Sequence, residues 1–179
     1  HGAAEVNMVK TPRQLAPANV GGTARVLDLA LGASAPVLFT STILPLEGEH
    51  ATGYRQSKEA AEVLCKRAAD RHGALVASLQ LGDLGFATTA GATIPEDDAI
   101  VILLRACLRL GRAPDAAWSV SVLPVDRCAA LVAEKVLAKS PDADFAGASP
   151  VEVKGDLVPW RDVLAWFPSL RTQDYDEWR

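Results

Sequence analysis

Tyr54 and Lys58, four positions apart at the start of a predicted helix, are the residues of this 179-residue sequence best suited to chemistry. Side chains at this spacing lie on one helix face, within reach of each other. An ammonium group beside a phenol predicts a tyrosine pKa below its ordinary value of about 10. Such a tyrosine can donate a proton to a carbonyl oxygen as hydride reaches the carbon. Ordinary exposed Tyr and Lys side chains share this spacing, so the pair alone does not define a site.

The residues around this pair follow a pattern of buried strands alternating with helices. Residues 36–42 predict a strand ending at Thr42, residues 54–71 a helix with an apolar stripe at 61, 64, 65 and 68, and residues 75–81 a second strand. In open parallel sheets, chemistry gathers beyond the carboxyl ends of the strands. Thr42 is therefore predicted to lie near Tyr54, where its hydroxyl can bind the same carbonyl oxygen.

The rest of the chain continues the alternation. Helices are predicted at 17–30, 100–110, 124–138 and 159–167, and strands at 118–123 and 145–153. We expect Gly32 to end the first of these helices, and Gly21 and Gly22 to mark close packing. The order of elements predicts the α/β class, with a parallel sheet covered by helices.

Composition and charge limit the partners. The chain is 49% hydrophobic and 22% charged, which is typical of a globular protein, and its net charge of −4 argues against nucleic acid and, weakly, against an anionic membrane. The longest apolar run, residues 99–104, is far short of the roughly 20 residues that a membrane span needs. The oligomeric state stays open.

Metal and hydrolase chemistry are not supported by the spacing of the reactive residues. Neither the histidines nor the cysteines follow a metal-binding pattern, and Ser41 lies outside a GxSxG turn. The cysteines are expected to be buried free thiols, which fits the reducing cytoplasm. These residues are His1, His50, His72, Cys65, Cys107 and Cys128.

Several segments, taken in order, resemble the short-chain dehydrogenase/reductase superfamily, and in particular its extended, thioester-reducing branch. The central pair is VLFTST followed by GYRQSKEAAE. HGAAEVN and ANVGGTARVLDLA are similar to the branch's HxGAxVN and ANVxGTxxVLxLA, and LPVDRCAALV resembles its PVDxxAxxI helix. PWRDVLAWF and YDEWR resemble its C-terminal substrate lobe. Each motif is weak alone, but the ordered set is specific and covers nearly the whole chain.

The resemblance implies a terminal reductase domain of a non-ribosomal peptide or polyketide synthase, or of a carboxylic acid reductase. Such domains use NADPH to release an acyl or peptidyl thioester, bound to a phosphopantetheine carrier protein, as an aldehyde or alcohol. The implied fold is a partial Rossmann-like parallel sheet with helices on both faces and a small C-terminal lobe. Residues 1–96 would form the C-terminal half of the NAD(P)-binding core, and residues 97–179 the remaining core elements and the lobe.

Roles for individual residues follow from the same motifs. Thr42 and Tyr54 would hold the substrate carbonyl, with Tyr54 as proton donor. Lys58 would lower the pKa of Tyr54 and bind the nicotinamide ribose. Asn19 matches an asparagine that helps to support this lysine, although a surface amide is an equally open interpretation. Gly82 and Asp83 would form the turn against the nicotinamide.

Three features depart from the family pattern. The glycine-rich turn GxxGxxG, which receives the pyrophosphate at a helix N-terminus, is expected upstream of His1 and is not in this sequence. The turn after the second predicted strand, at 80–83, is QLGD where the family usually has Arg-Pro-Gly-Asn. The loop between Thr42 and Tyr54 is short, which suggests a more open pocket.

Other functions stay open at this stage. The altered turn at 80–83 is compatible with a non-reducing domain that releases product by Dieckmann-type cyclisation. An epimerase or ketone reductase of the extended branch is a further alternative. A chain without the phosphate-binding turn is also compatible with a non-catalytic remnant or a module that docks a carrier protein.

Overall fold

The computed structural model describes residues 1–44, 52–89, 96, 98–137 and 150–178. The chain forms two compact units, His1–Gly82 with Cys128–Lys154, and Asp83–Arg127 with Gly155–Arg179. Each unit is therefore built from two separate stretches of sequence. The division predicted between residues 96 and 97 stays a prediction.

The elements alternate along the chain. The strands are β1 (Val37–Thr42), β2 (Val76–Leu81), β3 (Leu84–Gly85), β4 (Arg112–Asp115), β5 (Ser119–Pro124), β6 (Val151–Val153), β7 (Asp156–Pro159) and β8 (Arg171–Asp174). The helices are α1 (Pro12–Ala16), α2 (Gly22–Ala33), α3 (Gly53–His72), α4 (Ala99–Leu110), α5 (Val125–Leu137), α6 (Trp160–Leu164) and α7 (Tyr175–Trp178), with a π-helical turn at Pro17–Gly21.

A parallel sheet in the order β1-β2-β6 forms the centre of the first unit. On one face, the apolar stripe of α3 (Ala61, Cys65 and Ala68) is buried with Val37 and Phe39 of β1. On the other face, Leu38 and Leu79 contact Val132 of α5. Successive strand residues point to opposite faces, so Leu38 faces away from Val37 and Phe39. The sheet is therefore covered by α3 on one face and by α5 on the other. The predicted Rossmann-like class and the stripe on α3 are confirmed.

The helical segment before β1 begins earlier and ends later than predicted. It starts at Pro12, because Thr11 and Gln14 form a capping box, and runs through the π-helical turn into α2. Gly32 does not end it, since Ser34 takes the left-handed conformation at φ 51°. The close packing expected at Gly22 is also wrong, because outside its own helix no atom of the described residues lies within 4 Å of a Cβ built there.

The corresponding expectation for Gly21 is also wrong. Its nearest neighbour, the Ala16 carbonyl oxygen, lies at an ordinary contact distance of 3.7 Å.

The second unit contains short strands that were not predicted from the sequence. β5 pairs parallel with β3 and antiparallel with β7, and β4 pairs parallel with β8. Strands such as RAPD and RTQD are too short and polar to show an alternating pattern. The core of this unit contains Cys107, Ala113, Trp160, Val163 and Leu164.

Two predicted elements of the C-terminal part are shorter than expected. The helix predicted at 159–167 spans only α6, Trp160–Leu164. Of the strand predicted at 145–153, β6 covers Val151–Val153, and residues 145–149 lie outside the described residues.

No helix within the described ranges has the length and apolar character needed to cross a membrane. All three cysteines are buried free thiols.

Candidate active site

Thr42 lies at the carboxyl end of β1. It pairs in parallel register with Leu81, the last residue of β2, so Thr42 and Gly82 lie at the same edge of the sheet. The Thr42 hydroxyl oxygen accepts a hydrogen bond of 3.4 Å from the Leu44 amide. No described residue accepts its proton, and a hydroxyl with a free proton can donate a hydrogen bond to a carbonyl oxygen.

Tyr54 is the second residue of α3, and the start of this helix is fixed from two sides. Thr52 caps the helix by accepting a bond of 3.1 Å from the Arg55 amide. The backbone of Lys10 approaches Gly53 so closely that a Cβ at Gly53 would overlap the Lys10 carbonyl oxygen. Glycine is therefore needed beside Tyr54, and it sets where the helix begins.

The Tyr54 hydroxyl makes no hydrogen bond with any described residue. Burial of the phenol raises the pKa of Tyr54 above its ordinary value of 10.0. This direction is opposite to the predicted lowering by Lys58, because the low-polarity surroundings disfavour the phenolate. Tyr54 is accordingly protonated at neutral pH.

Lys58 lies one helical turn after Tyr54 and is only 2% exposed. Its ammonium nitrogen lies over the Phe39 ring, 4.2 Å from the ring centroid. Burial lowers the pKa of Lys58 from 10.5 to about 8, while the Glu62 carboxylate opposes that shift. No described residue accepts a hydrogen bond from the ammonium group, so a buried cation has N–H donors still to satisfy.

Asn19 is buried in the π-helical turn and holds the residue next to Lys58. Its amide donates a hydrogen bond of 2.8 Å to the Ser57 hydroxyl, which donates one of 2.7 Å to the Tyr54 carbonyl oxygen. It is also held by Glu5, whose amide donates to the Asn19 oxygen at 2.7 Å and whose carbonyl accepts from the Asn19 amide at 3.1 Å. The surface-amide interpretation of Asn19 is wrong, since the residue is 1% exposed.

Gly82 and Asp83 follow β2, as predicted, but belong to different units. The Gly82 amide donates to the Val153 carbonyl at 2.9 Å within the first unit. The Asp83 carbonyl accepts from Leu123 at 3.2 Å within the second unit, and the Asp83 side chain is exposed. The chain thus leaves the first unit at this turn.

Four residues near the pair were given no role by the sequence analysis. Phe39 and Ser57 contact the Lys58–Tyr54 segment directly, and Arg55 and Glu62 form a buried charged group on the same helix. The spacing of Glu62, four residues after Lys58, was an available signal for electrostatic contact. Phe39 gave no signal, because an apolar residue in a buried strand is expected whether or not a cation lies over it.

The sequence profile of a NAD-binding family described as male sterility protein matches residues 1–47 and 43–132. The chain belongs to this family. One relative is the large subunit of L-2-aminoadipate reductase from Eremothecium gossypii. It is 29% identical to this chain over 212 residues, and the alignment covers 99% of this chain and 15% of that subunit.

Two solved structures of reductase domains are also similar to this chain. The terminal R domain from the myxalamid PKS-NRPS biosynthetic pathway is 26% identical with a TM-score of 0.81, covering 98% of this chain and 49% of that one. A thiolation-reductase di-domain from an archaeal non-ribosomal peptide synthetase is 20% identical with a TM-score of 0.74, covering 98% and 43%, a likeness of fold alone.

This member of the male sterility protein family therefore spans less than half the length of each of these proteins. The predicted resemblance to the thioester-reductase branch of the extended short-chain dehydrogenases/reductases is confirmed.

The residues present fit part of a nicotinamide dinucleotide site. In the described part of the chain, neither the ammonium group of the 2% exposed Lys58 nor the Tyr54 phenol has a hydrogen-bond partner, so both groups suit the hydroxyls of a ribose and a substrate oxygen. Metal binding has no corresponding support, since the described residues contain no group of three or more His, Cys, Asp or Glu side chains placed to hold an ion.

Proposed function

We propose that the protein carrying this chain is an NADPH-dependent reductase. It releases an acyl or peptidyl group from a phosphopantetheine-bound thioester as an aldehyde or alcohol. The observation that carries the proposal is the buried Lys58, one turn after a Tyr54 hydroxyl that no described residue engages, on a helix that follows the strand ending at Thr42. The similarity to the myxalamid R domain supports the same reaction class.

The division of labour follows from the chemistry of the three side chains. NADPH, when bound, would supply the hydride that reduces the thioester carbonyl carbon. Thr42 and Tyr54 hold the carbonyl oxygen, and Tyr54 transfers its phenolic proton to that oxygen. The resulting hemithioacetal loses the pantetheine thiol to give the aldehyde, so that one hydride and one proton are consumed for each aldehyde formed.

The pKa values support these roles. A raised pKa keeps Tyr54 protonated and ready to donate near neutral pH. A pKa of about 8 leaves Lys58 mostly cationic at pH 7, and its charge stabilises the phenolate that remains on Tyr54. Lys58 also offers N–H donors to the nicotinamide ribose. Asn19 orders the first turn of α3 through Ser57.

The proposed turn residues, partner and location belong to the same hypothesis. Gly82 and Asp83 would line the nicotinamide side of the site, and a carrier protein bearing phosphopantetheine would deliver the thioester. Three buried free thiols are compatible with a cytoplasmic protein.

The test measures NADPH oxidation and aldehyde formation from an acyl-pantetheine thioester, using the full-length protein. We expect Tyr54→Phe to lower kcat by about 100- to 10,000-fold, as for loss of a general acid. The matched control is Tyr175→Phe, which removes the hydroxyl of an exposed tyrosine in α7. Equal rates for wild type and Tyr54→Phe, or product formation without NADPH consumption, would contradict the proposal.

A further inference from the structure

Arg55 is a buried cation directly after Tyr54, and its side chain contacts other protein groups rather than solvent. Only 5% of the residue is exposed. Burial of a guanidinium group is unfavourable unless hydrogen bonds and opposite charges compensate it. The partners of Arg55 therefore indicate what the residue does.

The first partner lies just beyond β1. The Arg55 Nε donates a hydrogen bond of 2.9 Å to the Leu44 carbonyl oxygen, and Leu44 is itself joined through its amide to the Thr42 hydroxyl oxygen. The Arg55 side chain of α3 is thus bonded to Leu44, two residues after the end of β1 at Thr42.

The other partners are carboxylates. The Arg55 Nη2 lies 3.0 Å from Glu59, and Nη1 lies 3.9 Å from the largely buried Glu62. Glu62 also accepts hydrogen bonds of 3.0 and 3.1 Å from the Gln80 side chain on β2. Gln80 stands beside Ser41 in the sheet register, one pair before Thr42 and Leu81.

We propose that Arg55 is a positioning residue that holds the strand end carrying Thr42 against the helix carrying Tyr54 and Lys58. This inference rests on the proposed function, because it assigns Arg55 a part in aligning that function's three side chains. A planar guanidinium suits the task, since its separate N–H groups can address a carbonyl and carboxylates at once. Arg55 is a cation beside Glu62, while Gln80, which also contacts Glu62, is neutral.

The first experiment compares Arg55→Gln with Lys66→Gln in the full-length protein. Lys66 forms an exposed ion pair with Asp70 at the same i,i+4 spacing on the same helix, at 2.9 Å. We expect Arg55→Gln to lower kcat by about 10- to 100-fold, because small misplacements of reacting groups are costly. The KM for NADPH should stay within about twofold, and Lys66→Gln should match wild type. Unchanged kcat in folded Arg55→Gln would overturn the inference.

A second variant separates alignment from charge balance. Arg55→Gln combined with Gln80→Arg returns a cation to Glu62 from β2 but does not restore the bond to Leu44. We expect the double variant to recover thermal stability while kcat stays low. Full recovery of kcat would show that a cation beside Glu62 is sufficient for activity. It would overturn the role assigned to the hydrogen bond between Arg55 and Leu44.

Hydrogen exchange of the backbone amides at Ile43 and Leu44 supplies a readout that does not need catalysis. Both amides should exchange faster in the Arg55→Gln variant than in wild type or in Lys66→Gln. Unchanged exchange rates would contradict the positioning role. If wild type does not reduce the thioester, the proposed function fails, while this measurement still tests Arg55. If wild type is active and Arg55→Gln changes neither exchange nor kcat, only the inference about Arg55 fails.

Discussion

Asn19 and Ser57 are joined by a buried hydrogen bond of 2.8 Å that connects the π-helical turn to the first turn of α3. Ser57 passes this connection to the Tyr54 carbonyl, while Glu5 holds Asn19 from the opposite side. Every polar atom of the Asn19 amide group is thereby engaged. The π-helical turn and α3 are therefore held together by directional hydrogen bonds.

Replacing Asn19 by Ala should destabilise the protein by about 1–3 kcal/mol, because the partly buried backbone of Glu5 loses both of its bonds to Asn19 and the buried Ser57 hydroxyl loses its donor. Asn7→Ala is the control, since Asn7 also accepts from backbone amides, at Val9 and Lys10, but in an exposed to partly buried loop. Urea denaturation followed by circular dichroism measures both. Equal losses for the two variants would contradict the structural importance assigned to the Asn19–Ser57 bond.

The sequence predicted the order of strands and helices in the first unit because its apolar periodicities are regular. It also placed Thr42, Tyr54 and Lys58 on the elements where the structure has them. The ring of Phe39 under Lys58 could not be predicted, because it depends on how β1 packs against α3. The raised pKa of Tyr54 was missed for a related reason, since burial is a property of the folded chain.

The second unit was harder to predict for another physical reason. Strands such as β4 and β8 gain their stability from pairing with each other across more than fifty intervening positions, as the register of Arg112 with Arg171 shows. Their own residues carry little β propensity. Local sequence therefore contains almost no information about these strands, whereas α4, capped by Asp98, was readily predicted.

Gly53 and Gly22 should respond oppositely to substitution by Ala. At Gly53 the new methyl group would overlap the Lys10 carbonyl and displace the start of α3, which should cost about 1–3 kcal/mol. At Gly22, inside a helix, no atom of another described element lies within 4 Å of the new methyl group, so Ala should stabilise by about 0.5–1 kcal/mol. Thermal unfolding followed by circular dichroism measures the signs, and a Gly53→Ala variant as stable as wild type would exclude the close approach at Lys10.

Trp160 should be the tryptophan most important to the second unit. It is 1% exposed, its indole donates a hydrogen bond of 2.9 Å to the Pro114 carbonyl, and its ring packs edge-on against Trp118. Trp160→Phe should cost about 1–3 kcal/mol, because the buried Pro114 carbonyl loses its donor. Trp166→Phe is the control and should stay within about 0.5 kcal/mol, since Trp166 is 69% exposed. Chemical denaturation followed by tryptophan fluorescence compares the two, and similar midpoints would contradict the prediction.

Lys58 should make stability rise with pH above about 8. Its pKa falls from 10.5 in the unfolded chain to about 8 in the folded protein. Between these values the unfolded chain binds a proton that the folded protein has released, so raising the pH favours folding. Below pH 8 the burial penalty on the charged amine is fully present and constant.

The comparison with Lys58→Met measures this effect together with the electrostatic interactions of Lys58. Tyr54 and Cys65 have raised pKa values that act in the opposite sense, and both residues remain in each variant. Lys58 lowers the pKa values of Cys65 and of the His1 amine, and Glu62 raises that of Lys58, so the difference between the variants includes the loss of these interactions. From pH 7 to pH 10, the free energy of unfolding of wild type should gain about 1–3 kcal/mol relative to Lys58→Met, after allowance for solvent screening. Urea denaturation at a series of pH values measures this difference, and a difference independent of pH would show that the amine is not titrated near 8.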